Sequence, residues 1–149
     1  MEYPSIDEEI DIIDQNVEVR DVEEFETKEI IDLDDLQRAQ ETVKKVTITE
    51  ELKEYILNIS WATREPEENG IESGRFISNG ASSRASIFMA YAGRANALME
   101  GREYVTPEDV RKVAPHVLRH RIQLNYEGKS RNIRPEDIIE DVLETVPVV

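Results

Sequence analysis

Leu52, Tyr55, Ile56 and Ile59 stand at i, i+3, i+4 and i+7, a spacing that puts all four on one side of an α-helix. The same periodicity returns along the chain behind recognisable helix starts, and this restricts the fold more than any other feature. Ser5-Ile6-Asp7-Glu8 is a capping box, and Ile6, Ile10 and Ile13 follow it, predicting a short helix over 6–15. The acids from Asp32 to Asp35 open a second helix, with Leu33, Leu36, Val43 and Val46 along one side. Thr47-Ile48-Thr49-Glu50 is a further capping box, ahead of the Leu52 stripe. The longest helix is expected from Ser82 to about Glu100, stopped by Gly101. Thr106-Pro107-Glu108-Asp109 and Arg134-Pro135-Glu136-Asp137 each place proline at the first helical position and acids at the positive helix end. After the second, Ile138, Ile139, Val142, Leu143 and Val146 form an apolar face; outside Pro-Glu-Asp the two starts do not match, so they are not an internal repeat. Pro66, Gly70 and several glutamates predict a mobile polar loop over 64–73. The partial alternation of Val17, Val19, Val22 and Phe25 fits a strand, a loop or an acidic linker equally. The expectation is an all-α helical bundle over 32–149, preceded by a less regular acidic segment, 1–31, that carries a short helix. Short extended pieces near 17–22, 46–48 or 122–125 are compatible with it.

Charge is spread unevenly. Residues 1–36 hold 15 acids against Arg20 and Lys28, a net −13, whereas the other 113 residues come to −2. Within these, 74–134 carries 11 bases and five acids, a local +6. A total of −15 argues against general nucleic-acid affinity, which needs basic surface. The local excess of arginine points to a confined anionic ligand or an acidic partner, with a merely solvated dipolar surface as the bland alternative. No cysteine ties the chain to an oxidising compartment. The longest charge-free stretches, 55–63 and 85–93, have nine residues each, too short for a membrane span of about 20. Met1-Glu2-Tyr3-Pro4-Ser5 resembles neither a signal peptide nor a transit peptide, so a cytoplasmic chain is expected.

Several chemical motifs fail on inspection. Gly128-Lys129-Ser130 looks like the end of a phosphate-binding loop, but that loop needs glycine where Gln123 stands, so a surface turn is expected. Asp32, Asp34 and Asp35 lack the glycine and later glutamate of a calcium loop and read as helix-start acids. His116 and His120 are four apart, but no cysteine joins them and Val117 occupies the metalloprotease glutamate position; they read as structural, and no metal site is expected. No Ser/His/Asp arrangement can be assembled. The chain lacks a self-contained catalytic apparatus.

Arg84 breaks the pattern. At 100° per residue, Phe88, Tyr91, Ala92, Ala95 and Leu98 gather in one sector of the long helix, and Arg84 projects into it, between Tyr91 and Phe88. A core-facing guanidinium costs several kcal/mol unless paired. Arg84 lies in the first turn, however, where free backbone N–H groups point outward, preceded by Gly80 and flanked by Ser82 and Ser83. Such a helix start is a ready anion site. A salt bridge to a carboxylate elsewhere is the alternative.

Gly80-Ala81-Ser82-Ser83-Arg84-Ala85-Ser86-Ile87 closely resembles the second-sensor motif of MoxR-family AAA+ ATPases. The likeness continues through Ala95-Asn96-Ala97-Leu98-Met99-Glu100-Gly101-Arg102, Tyr104-Val105-Thr106-Pro107-Glu108-Asp109-Val110, Val117-Leu118-Arg119-His120-Arg121-Ile122 and Val146-Pro147-Val148. Upstream, Tyr55-Ile56 and Ala62-Thr63-Arg64 fit the preceding helix, and Tyr3-Pro4-Ser5 with Glu8-Glu9 resembles the segment that leaves the nucleotide-binding half. Ser83 departs from the family, which commonly has proline there. The resemblance implies a C-terminal lid that follows a missing nucleotide-binding domain and closes over its ATP. Gly80, Ala81, Ser82, Ser83 and Arg84 would face the nucleotide, with Arg84 touching the γ-phosphate. The P-loop, magnesium-binding acids, first sensor and arginine finger are not found; even Ile30-Ile31-Asp32 is too short to imitate a Walker-B strand. ATP and Mg2+ are therefore expected only in the full-length protein, and this chain alone is expected to be inactive. The resemblance further implies a homo-oligomeric, hexameric ring with a chaperone-like role in assembling or maturing complexes, often beside a von Willebrand A-domain partner. Arg94, Arg102, Arg119 and Arg121 would meet the next subunit's acids or, more simply, line a solvated face. The competing readings are a free-standing helical protein-interaction adaptor without a nucleotide role, and the lid of a related clade such as magnesium-chelatase-like motors.

Overall fold

In a computed structural model, residues 4–16 and 30–148 are described. The chain divides into two compact units, Met1–Asp35 and Leu36–Val149. In the first, α1 (Ile6–Asn16) begins with the expected capping box: Glu8 accepts from the Ser5 N–H at 2.7 Å, and Ser5 Oγ accepts from the Glu8 N–H at 3.4 Å. Ile6, Ile10 and Ile13 of this helix are exposed. The alternating valines at 17, 19 and 22 lie outside the described residues. α2 (Leu33–Lys45) is capped by Asp32, whose carboxylate accepts from the Asp35 N–H at 2.6 Å, so these acids do serve a helix start. Only the end of its apolar stripe reaches the core: Leu33 and Leu36 are exposed, Val43 is half-buried, and Val46, just past the helix, is buried.

The second unit is built on α3 (Glu50–Ala62), α4 (Ser83–Met99), α5 (Pro107–Leu118) and α7 (Pro135–Thr145). The four α3 residues whose spacing defines the stripe are at most 4% exposed, and α5 and α7 add Val110, Ala114, Leu118, Ile138, Ile139 and Val142 to the same core. The described residues hold one two-stranded antiparallel sheet, β1 (Ile77–Asn79) against β2 (Gln123–Leu124), with Ile77 opposite Leu124. An isolated parallel bridge joins Thr47 to Tyr104. The architecture is all-α; Thr47 and β2 fall in the regions 46–48 and 122–125 that the sequence allowed, whereas their partners, Tyr104 and β1, lie outside them.

Three local expectations are corrected. Thr47 does not cap α3; its N–H and C=O go to the strand-like bridge with Glu103 and Val105, and Thr49 is the cap, accepting from the Leu52 N–H at 3.3 Å. Gly128-Lys129-Ser130 is no surface turn but the end of a short helix, α6 (Tyr126–Ser130), with Gly128 buried so close to Phe76 that an added Cβ would lie 3.1 Å from Phe76 Cβ. The 64–73 segment is a series of turns leading into a 3-10 helix, Glu72–Phe76, and it buries Ile71 and Phe76. Ser73 locks it to α7 by donating its N–H and hydroxyl to Asp141, at 3.1 and 2.5 Å.

Candidate functional site

The site is organised where the end of α3 meets the loop into α4. Gly80 passes so close to the α3 terminus that an added Cβ would stand 2.2 Å from the Thr63 carbonyl oxygen and 2.8 Å from Arg64 Cα. No side chain fits there. The next residue, Ala81, is fully buried, and neither of its backbone groups joins a helix ladder. Thr63 Oγ1 accepts from the Ala81 N–H at 2.9 Å, and Arg64 Nε donates to the Ala81 carbonyl at 2.5 Å. Each of these groups, left unpaired at such burial, would cost roughly 1–3 kcal/mol. A second tie lies deeper in the seam, where Ser86 Oγ donates to Ser60 Oγ at 2.8 Å.

From this anchor α4 starts without a side-chain cap. Ser82 is the N-cap residue, with extended backbone, but its hydroxyl accepts no helix N–H; its carbonyl accepts from the Ala85 N–H at 2.8 Å. The first turn holds no acid. The helix end therefore keeps its partial positive charge and open donors. Ser82, Ser83 and Arg84 are exposed around it, whereas the half-buried Gly80 and the buried Ala81 form its support.

The face that carries Arg84 differs from the sequence-based expectation. Phe88 and Tyr91 are 45% and 55% exposed, and the core side of α4 is instead Ala85, Ser86, Met89, Gly93 and Ala97. Small residues win because they let the α4 backbone approach its neighbours: a Cβ at Gly93 would already lie 3.3 Å from Val105 Cγ1. Arg84 thus projects outward beside exposed aromatic surface. It makes no hydrogen bond or ion pair with any other described residue, so the salt-bridge alternative has no partner among them.

The other arginines are largely occupied. Arg102 forms a bidentate pair with Asp109, both N···O distances 2.6 Å, which the sequence treated as a simple helix-start acid. Asp109 is 2% exposed, closes the Thr106 capping box and accepts from Asn96 Nδ2 at 2.6 Å. The Arg102 guanidinium, then Thr106 and Asn96, hold its carboxyl well below the usual carboxylate range, against the opposing effect of burial. Arg121 donates to the Val117 carbonyl at 2.7 Å and lies over the Phe88 ring at 4.9 Å. Arg94 is half-buried, its Nε enclosed without a partner among the described residues; Arg119 is exposed. His116 and His120 are exposed, and no group of three or more His, Cys, Asp or Glu able to hold a metal occurs among the described residues. What the arrangement offers chemically is one unpaired guanidinium beside an open helix start, on a rigid support.

The profile of the AAA lid domain family matches residues 72–142. The chain is similar to the protein named Chaperone MoxR1 of Mycobacterium tuberculosis, 39% identical over 145 residues that make up 97% of this chain and 37% of that protein. It is 44% identical over 80 residues to Protein MoxR of Methylorubrum extorquens, covering 52% of this chain and 23% of that one. The crystal structure of a candidate ATPase from Cytophaga hutchinsonii superposes with a TM-score of 0.85 at 33% identity, over all of this chain and 45% of its own. The chain therefore spans less than half the length of each of these relatives.

Proposed function

Because the chain belongs to the MoxR-type AAA lid domains, we propose that it is the lid of a MoxR-like AAA+ ATPase, closing over ATP held by an upstream nucleotide-binding domain. The observation that carries this reading is Arg84, exposed and unpartnered at the uncapped start of α4. A phosphate needs charge and several donors; a guanidinium supplies a planar fork, and the helix end adds backbone N–H groups. These residues fit the terminal phosphate of a nucleotide. They do not fit Mg2+, for which the described residues hold no carboxylate cluster, so the metal's ligands would belong to the other domain.

On this reading Arg84 touches the γ-phosphate, and Gly80, Ala81, Ser82 and Ser83 shape the loop that faces the nucleotide. Charge-assisted hydrogen bonds contribute roughly 1.5–3 kcal/mol each. Their loss on hydrolysis would shift the lid equilibrium by about one to two powers of ten. Residues 32–149 act as the lid and 1–31 as the acidic connection to the nucleotide-binding domain. The similarity to a protein named a chaperone supports a chaperone-like role in assembly or maturation of complexes; a cytoplasmic homo-hexameric ring and a von Willebrand A-domain partner belong to the same proposal for the full-length protein.

The experiment is Arg84→Ala in the full-length ATPase and in this chain. Hydrolysis should fall sharply while ADP affinity and the melting temperature of the chain stay nearly unchanged, since the side chain leaves no partner behind. Arg84→Lys should rescue only in part, because a point charge lacks the forked donors. Unchanged turnover would reject the sensor role and favour the free-standing adaptor.

A further inference from the structure

Thr63 and Arg64 are neighbours at the end of α3, yet both side chains reach the same peptide unit of the loop into α4. Thr63 Oγ1 takes the Ala81 N–H at 2.9 Å, and Arg64 Nε gives its hydrogen to the Ala81 carbonyl at 2.5 Å. The Thr63 hydroxyl is used twice, because it also donates to the Ser60 carbonyl at 2.7 Å. With one proton and acceptor lone pairs to share, its direction is fixed: from Ala81 through Thr63 into the last turn of α3. The Arg64 guanidinium lies over the Trp61 ring, 5.5 Å from its centroid, which orients the Nε donor. Gly80 permits the contact by bringing the loop backbone against Thr63 and Arg64.

Ala81 precedes Arg84 by three residues. Nothing else among the described residues holds the Arg84 side chain, so the position of its guanidinium depends on how firmly the first turn of α4 is fixed. We propose that Thr63 and Arg64 are positioning residues for the sensor: by gripping Ala81 from both sides they make the start of α4 move with α3 and set where Arg84 meets the terminal phosphate of ATP. This inference rests on the sensor reading of Arg84. A donor on a loose turn contacts phosphate in many geometries, whereas a donor on a clamped turn separates ATP from ADP sharply. Neither Thr63 nor Arg64 touches the nucleotide; both act through Arg84.

The test is a double-variant cycle in the full-length ATPase. Thr63→Val removes the hydroxyl at nearly constant shape, and Arg64→Lys keeps the charge but loses the Nε donor. Each should lower kcat about tenfold with ADP affinity held within about twofold. Thr63→Ser, which keeps both hydrogen bonds, should stay within about twofold of the parent. Combined with Arg84→Ala, neither clamp variant should lower kcat further. Where the residual turnover of Arg84→Ala is too small to read a further loss, the ratio of affinities for ADP and a non-hydrolysable ATP analogue is compared across the same set. Melting curves identify any variant that fails to fold; Arg64, half-buried at the rim, is the safer of the two. If Arg84→Ala lowers turnover but the clamp variants do not, or their losses multiply with it, the positioning role is wrong while the sensor role stands. If Arg84→Ala changes nothing, both fall together.

Discussion

Asp109 shows how much one buried side chain can organise. Its two oxygens serve Arg102, Asn96 and the N-cap of α5 at once, joining the turn after α4 to the start of α5. Because its carboxyl titrates well below the usual carboxylate range when folded, the folded state binds the proton less readily than the unfolded state. The resulting stabilisation is fully present above the unfolded value and is lost as pH falls through the lower folded one. Asp109→Asn should therefore cost about 2–3 kcal/mol at pH 7, and its gap from the parent should narrow as pH drops below about 4. Urea unfolding of both proteins at pH 7 and pH 3 measures this; an equal gap at the two values would reject the ionic contribution. The pairing itself was hidden in the sequence. Asp109 is legible as a helix-start acid because capping is local, but Arg102 finds it across a turn, seven residues away, which no spacing rule reports. Arg84 presents the opposite case: its motif and its position in the first turn were legible, while its partners, or their absence, were not.

At the scale of elements, capping and periodicity located α1, α3, α4, α5 and α7 because these signals are read within one or two turns. The facing of α4 was misread because the projection weighed size and hydropathy, which favoured Phe88, Tyr91 and Leu98. What decided the core side was how close the backbone must approach Val105 and α3, and small residues serve that best. Gly93 makes the point testable. Alanine there meets Val105 Cγ1 at 3.3 Å, tight but movable, and gains about 1 kcal/mol of helix propensity. Leucine must displace Val105 and Val110, with about 1–3 kcal/mol of overpacking. Gly93→Ala should thus unfold within about 1 kcal/mol of the parent and Gly93→Leu well below it in urea titration. Equal tolerance of both would show that α4 does not pack on that face. The clamp on Ala81 was out of reach for the same kind of reason: Thr63 and Arg64 are 18 and 17 residues from their partner, and only the Gly80 approach brings them together.

For the molecule as a whole, what matters is what this chain can do without the nucleotide-binding domain proposed to precede it. Phosphoryl transfer has little covalent chemistry for protein groups to perform; it depends on cradling the β- and γ-phosphates, neutralising them with metal and orienting the attacking water. Among the described residues this chain offers the unpaired Arg84 guanidinium at one open helix end, with no metal-binding cluster and no glycine loop around the triphosphate. Its net charge of −15 adds a field that repels the nucleotide at long range, leaving only the local basic excess over 74–134 to attract it. A single guanidinium contact is worth too little to offset the loss of translational freedom on binding, so ATP affinity should be weak, in the millimolar range or above on the order-of-magnitude scale of one to two charge-assisted bonds. The purified chain should accordingly hydrolyse ATP no faster than its Arg84→Ala variant prepared in parallel, and circular dichroism should show the same helical fold in both. The paired comparison matters, because a contaminating ATPase raises both preparations alike. Turnover that depends on Arg84 in the isolated chain would mean that the second unit holds a complete phosphate site, and the assignment as a lid dependent on another domain would have to be abandoned.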